Sequence, residues 1–240
     1  RIYADNITEP RAVYVIHPYG MSLLFGDHKN AEFNSRFKSY ALNVDKIRDK
    51  HEWIQTYPRE WDTVLKDLFG NSMIDSSENS EKKTTGVIEL NTRVNFIFNR
   101  DRYLQFDKPF LSGNDKIVDT DILHFKQMQG SVIPLNFWDS AGDFIQKGKG
   151  FTLLHNGEIA STAYSAFVHE NMLEIGIETV EKYRGFGFAE LSCCKLIDFC
   201  LERELIPVWS CRLENTASYK LAQKLGFEPV LMIPFYRLSN

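Results

Sequence analysis

Apolar positions along this chain recur with two periods, and the switches between them predict its elements. Ala12 to His17 (AVYVIH) and Met21 to Gly26 (MSLLFG) are short apolar runs joined through Pro18-Tyr19-Gly20, which predicts two paired strands. From Phe33 onward Phe37, Tyr40, Ala41, Val44 and Ile47 recur at helical spacing and predict a helix over Lys29–Lys50. HEWIQTY reads as the next strand, and REWDTVLKDLFG as a helix that starts just past Pro58 and stops at Gly70. Asn71–Thr85 (NSMIDSSENSEKKTT) is polar and reads as a surface loop, after which VNFIFN returns to strand character. Lys108–Asp121 is polar and broken by Pro and Gly, which sets a boundary between an N-terminal part, 1–118, and a C-terminal part, 119–240.

The C-terminal part has the clearer rhythm. ILHFKQM predicts a strand and NFWDSAGDFIQKG a helix closed by Gly148. Two strands are expected around His155-Asn156-Gly157, where Asn-Gly is a strong hairpin signal. NMLEIGIETV continues as a strand, and the turn EKYRGFGFA opens an amphipathic helix. The strand IPVWSC, the helix TASYKLAQKL and a final hairpin through FEPVLMIPFYRL complete an α+β pattern with a mixed sheet flanked by helices.

Composition narrows the chemistry. With 240 residues, 43% of them hydrophobic, the chain can bury a sizeable core. A formal charge of -4 and no basic run beyond Lys82-Lys83 argue against nucleic acid as a partner. No apolar stretch approaches the ~18 residues of a membrane helix, and no signal-peptide pattern leads the chain, so it reads as a soluble cytoplasmic protein without a membrane partner. Cys193, Cys194, Cys200 and Cys211 fall in the last quarter without metal-type pairs and read as reduced core residues. The six histidines form no helical H-x-x-x-H pair, so no metal is expected.

The informative stretch is Arg184-Gly185-Phe186-Gly187-Phe188-Ala189. A strand that ends in such a turn and opens a helix is a local anion site: the first helical turn leaves N–H groups unpaired, the macrodipole is positive there, and glycine lets a ligand approach the backbone. A diphosphate fits. The turn lacks the Lys-Ser/Thr pair of a nucleotide-hydrolysing loop and the three-glycine dinucleotide fingerprint.

These residues resemble the R-x-x-G-x-G/A signature of the GNAT acetyltransferase superfamily. Downstream, Asn215, Ser218, Leu221, Lys224, Leu225, Gly226 and Phe227 resemble its second signature, N-x-x-[AS]-x-x-L-x-x-K-L-G-F. The two stand in the family's order over Ile122–Asn240. EIGIETVEKYRGFGFA, IPVWSC and the early YADNITEPRAVYVI are further similar to a bacterial subfamily that includes the zwittermicin A resistance acetyltransferase. The N-terminal part repeats the element order without such a turn and reads either as a degenerate GNAT-like half that holds no cofactor or as an unrelated α+β cap.

The resemblance implies the GNAT fold, acetyl-CoA as cosubstrate and acetyl transfer to a small-molecule amine by direct attack on the thioester. It places the diphosphate on Arg184, Gly185, Phe186, Gly187, Phe188 and Ala189. It gives the pantetheine arm and thioester oxygen to the strand Ile177, Glu178, Thr179 and Val180, and further cofactor contacts to Asn215 and Ser218. Glu174, among Leu173, Ile175 and Ile177, suits a general base, and Glu178 shares its strand parity. Where the family often carries a thiolate-protonating tyrosine, this chain has Ala222; Tyr219, three residues earlier, can stand in. That departure leaves room for a non-catalytic acyl-CoA sensor, and transfer to a protein amine is the other alternative.

Overall fold

The computed structural model describes residues 1–76 and 86–239. Its backbone groups into two compact units: Arg1–Val94 with Arg212–Thr216 and Met232–Asn240, and Asn95–Cys211 with Ala217–Leu231.

In the first unit β1 (Ile2–Ala4), β2 (Ala12–Ile16) and β3 (Met21–Gly26) form an antiparallel meander. Helix α1 (Ala31–Ala41) crosses over to β4 (Glu52–Tyr57), which runs parallel to β3, and α2 (Trp61–Phe69) follows. β5 (Met73–Asp75) lies parallel to the start of β6 (Ile88–Phe98), and Tyr236–Leu238 pair antiparallel with β4. Alternate positions Ala12, Tyr14 and Ile16 of β2 point into a core completed by Phe33, Phe37 and Tyr40 of α1 and Trp61, Leu65 and Phe69 of α2. Each large side chain buried there contributes about 1.5–3 kcal/mol.

Helix α1 stops nine residues before the expected Lys50. Asn43 and Lys46 take left-handed φ of 53°, and Val44 and Ile47, expected on the buried face, are exposed. The chain turns back so that the buried Arg48 guanidinium donates to the carbonyls of Ala41 (2.8 Å), Tyr40 (3.3 Å) and Ser239 (2.6 Å). The open carbonyls at the helix end thus receive a cation in place of another turn. The expected loop from Asn71 also begins with structure, a 3₁₀ turn at Gly70–Ser72 and then β5. Its remainder, residues 77–85 with Lys82 and Lys83, lies outside the described residues.

In the second unit α3 (Arg100–Leu104), β7 (Lys116–Asp119), α4 (Ile122–Gln127) and α5 (Ala141–Lys147) precede the meander β8 (Gly150–His155), β9 (Glu158–His169) and β10 (Met172–Thr179). Helix α6 (Phe188–Glu202) crosses to β11 (Ile206–Arg212), followed by α7 (Thr216–Lys224) and β12 (Phe227–Leu238), whose residues from Met232 on belong to the first unit. The sheet runs β7-β8-β9-β10-β11, antiparallel except for the parallel pair β10·β11. Both units therefore share the order meander, helix, parallel strand, helix.

Two expectations fail here. ILHFKQM is helix α4 because Asp121 caps it, accepting the His124 N–H at 2.8 Å. The final segment is one 12-residue strand rather than a hairpin, passing straight through Pro229 and Pro234. All four cysteines are free and buried, and burial pushes the Cys200 thiol up to about 12. Among the described residues no group of His, Cys, Asp or Glu could hold a metal ion, and no helix is long and apolar enough to cross a membrane.

Candidate active site

β10 and β11 begin as neighbours and then part. They pair only over Met172–Glu174 with Ile206–Val208, whereas β10 stays on β9 as far as Thr179. From Ile175 onward the other edge of β10 has left the ladder. Which amides face that edge follows from antiparallel alternation. The Val180 N–H donates to Ala160 at 2.9 Å, so Val180, Glu178 and Gly176 face β9. Ile177 and Thr179 are the intervening pairs, and their N–H groups point away from β9 to the open side. Of the four strand residues expected to contact a cofactor, these two offer donors there.

The open edge leads into the turn. After a 3₁₀ turn at Glu181–Tyr183, Gly185 and Gly187 take φ of 87° and 81°, the left-handed region where glycine carries no Cβ penalty. Gly187 caps α6 without a side chain to occupy the first N–H groups. A Cβ built on either glycine meets no atom within 4 Å, so this backbone faces open space and an oxyanion can reach it. Arg184 is exposed, with its Nε 3.4 Å from the Thr179 carbonyl. Phe188 is buried with Leu153 and Ala160 beneath α6, and Phe186 stacks on it at 5.6 Å while staying 62% exposed. Glu190, in the first turn of α6, is held by Lys224 at 2.5 Å, so its charge is partly answered.

Residues that sequence reasoning passed over brace this turn. The His155 Nδ1 lies 2.6 Å from Asp115 Oδ1, and its ring packs on Tyr183 and Phe188 with centroids 5.3 and 5.2 Å away. Glu158 accepts from Lys182 and from the Tyr183 hydroxyl at 2.7 Å, and those bonds hold its carboxyl below the usual range. The sequence separation of these partners, 40 residues for His155 and Asp115, leaves no local signal.

The other candidates meet different surroundings. Ser210 Oγ donates to Glu174 Oε1 at 2.7 Å. Glu178 does not accompany Glu174: its Oε2 accepts the N–H groups of Ser131 (3.0 Å) and Val132 (2.9 Å). Tyr219 is half-buried with its ring edge on Phe96, 5.4 Å between centroids. Ala222 is fully buried, so the position of the family tyrosine faces the core. Ser218 Oγ accepts from Trp209 Nε1 at 3.2 Å, and Asn215, exposed, falls in the first unit.

The first unit carries the same topology with the opening closed. β3 and β4 stay paired over their length, Met21–Phe25 against Trp53–Tyr57. The start of α1 is filled by side chains: Asn30 accepts the Phe33 N–H at 3.1 Å and donates to Asp5 at 3.0 Å, and Asp27 accepts the Lys29 N–H at 2.9 Å.

A parted pair of parallel strands whose free edge runs into a glycine turn at a helix N-terminus fits the acetyltransferase resemblance read from the sequence. Comparison with known proteins agrees. The profile described as GNAT acetyltransferase matches residues 1–236, and the chain belongs to that family. It is 28% identical over 242 residues to the uncharacterized N-acetyltransferase YdfB of Bacillus subtilis (strain 168), covering 98% of this chain and 84% of that one. Its fold is similar to a GCN5-related N-acetyltransferase-like protein from Streptococcus suis 89/1591, at a TM-score of 0.70 and 20% identity, covering 98% of this chain and 86% of that one. It is also similar to a tandem GNAT protein from the clavulanic acid biosynthesis pathway, at a TM-score of 0.56 and 8% identity over 97% of this chain and 80% of that one.

Proposed function

We propose that this acetyltransferase moves an acetyl group from acetyl-CoA to an amine of a small molecule by direct attack on the thioester. The observation that carries the reading is the open edge of β10 beyond Ile175, continuous with the turn at Gly185 and Gly187. Acetyl-CoA, when bound, supplies the acyl group as an activated thioester. The amides of Arg184 to Ala189 and the N-terminus of α6 hold its diphosphate, with Arg184 adding charge. The Ile177 and Thr179 N–H groups hold the pantetheine arm and the thioester oxygen, where developing negative charge gains most from fixed donors. Glu178, and Val180 just past the end of β10, turn their amides to β9, so their share in binding is to shape the strand. Asn215 and Ser218 are carried over from the second signature.

Glu174 takes a proton from the acceptor's ammonium, directly or through water, so that the neutral amine attacks the thioester, and Ser210 fixes the orientation of the carboxylate. Tyr219 is the residue of α7 offered for protonating the departing thiolate. A thiol with a pKa of ~8.5 leaves tolerably without an acid, so the alanine at position 222 does not by itself remove activity. The likeness to the subfamily that includes the zwittermicin A resistance acetyltransferase is part of this reading but does not carry the acceptor over.

The test is release of free thiol from acetyl-CoA across a panel of small amines and a peptide with a free N-terminus. Release with small amines alone is the expected outcome. Release with the peptide alone moves the acceptor to protein, and coenzyme A binding without any release leaves a sensor.

A further inference from the structure

The carboxylate of Glu178 joins three segments of the second unit. It stands on β10 between Ile177 and Thr179, whose amides face the open edge. Its Oε2 accepts the N–H groups of Ser131 and Val132, in the loop that follows α4. Its Oε1 lies 3.7 Å from Arg184 Nη2 in the glycine turn, and the Glu178 side chain is only 10% exposed. The loop is shaped to this carboxylate. Gly130 has φ of 146°, and a Cβ there would come within 2.5 Å of the Glu178 side chain, so glycine alone lets the loop close over it. From the other side Asn136 Nδ2 donates to the Ser131 carbonyl at 3.0 Å.

A buried carboxylate shared between two amides and a guanidinium divides its charge among them. Arg184, at ion-pair rather than hydrogen-bond distance from Oε1, acts on the carboxylate through its charge, and the negative charge it draws toward Oε1 is lost to the charge-assisted bonds that the two amides make to Oε2. Arg184 is 64% exposed and held by the ion pair to Glu178 and a 3.4 Å bond from Nε to the Thr179 carbonyl, contacts for which a diphosphate on the adjacent amides would compete. When it does, the whole carboxylate charge falls to Ser131 and Val132.

We propose that Glu178 is a positioning residue that couples occupancy of the turn to the placement of the Gly130–Val132 loop, so that a diphosphate-bearing ligand bound at the turn tightens that loop. The proposal rests on the acetyl-CoA reading for the ligand. Coupling of this kind is reciprocal: a loop that is held more firmly favours the turn with Arg184 swung away.

Amide hydrogen exchange at Ser131 and Val132, measured on the full chain with and without saturating coenzyme A, tests it. In the native sequence coenzyme A slows exchange at both amides severalfold. Arg184→Gln keeps both loop bonds and removes the competitor, so its exchange without ligand is already slow and coenzyme A adds nothing. Glu178→Gln replaces the carboxylate by a weaker neutral acceptor, and exchange at both amides rises about tenfold and no longer responds to ligand. Titration calorimetry on the same samples separates the failures. Absence of coenzyme A binding removes the acetyl-CoA reading, whereas binding with unchanged exchange at Ser131 and Val132 in the native sequence overturns the coupling alone. Should Glu178→Gln fail to fold, the native and Arg184→Gln measurements still decide.

Discussion

Ser210 reaches back across the widening gap between β10 and β11 to donate to Glu174 at 2.7 Å. Glu174 is the last residue of β10 in register with β11, opposite Val208, and Ser210 stands two residues further along the departing strand. The bond therefore spans the point where the ladder opens. It holds a carboxylate at the mouth of the gap and fixes its orientation.

If Glu174 is the base, Glu174→Gln lowers kcat by about 10²–10⁴ while coenzyme A affinity stays within about twofold. Ser210→Ala leaves the carboxylate in place but loosely aimed, and kcat falls by a smaller factor, with Ser210→Thr restoring part of it. Steady-state kinetics with coenzyme A titrations on the three variants check this. Undiminished kcat in Glu174→Gln removes the assignment.

Gly187 separates the turn as a ligand cradle from the turn as a corner. Its φ of 81° makes valine there cost about 1–3 kcal/mol whatever the ligand does. Asparagine tolerates the left-handed region, and its side chain would enter space that is open around the Cβ position. Gly187→Asn is expected to lose coenzyme A affinity at least tenfold with a melting temperature within a few degrees of the native chain. Gly187→Val loses both. Full affinity in Gly187→Asn would mean that no ligand occupies that space.

What the sequence disclosed depended on whether the cause was local. The turn at Gly185 and Gly187 was legible because its chemistry, φ and helix N-terminus all lie within six residues. The end of α1 was not, because the guanidinium that closes it belongs to Arg48 and the periodicity of Val44 and Ile47 imitates a helix face. α4 reads as a strand in the sequence because its three apolar residues outweigh the Asp121 cap. The opening between β10 and β11, the bond from Ser210 and the loop amides on Glu178 join residues 34 to 47 apart, beyond any windowed pattern.

Glu158 gives the turn a pH signature. Hydrogen bonds from Lys182 and then Tyr183 hold its carboxyl below the ordinary value of 4.5. A depressed acid stabilises the folded state above its unfolded pKa, and that contribution is lost as pH falls through the lower folded value. Both side chains are exposed, so the effect on stability is small. The expected result is a Glu158 carboxyl midpoint below 4.5 by NMR titration, returning toward 4.5 in Lys182→Gln. A midpoint unmoved by that substitution would show that the pair does not persist in solution.

The shared topology of the two units raises the question of how many coenzyme A molecules the chain binds. Repetition of the meander, helix and parallel strand in the first unit supplies the scaffold of a second site, but the two features on which the proposed site of the second unit rests are missing from it. β3 and β4 remain paired from Met21–Trp53 to Phe25–Tyr57, leaving no free strand edge between them for a pantetheine arm. Asn30 already occupies the Phe33 amide at the start of α1, and Asp5 and Asp27 stand beside it, so an arriving diphosphate would meet carboxylates where α6 offers bare amides. One coenzyme A per chain is therefore expected by calorimetry. Asn30→Gly exposes the α1 amides, yet with the strands still paired it should not raise the stoichiometry. A value of two in the native chain, or in that variant, would show that strand separation is not what a site in this fold requires.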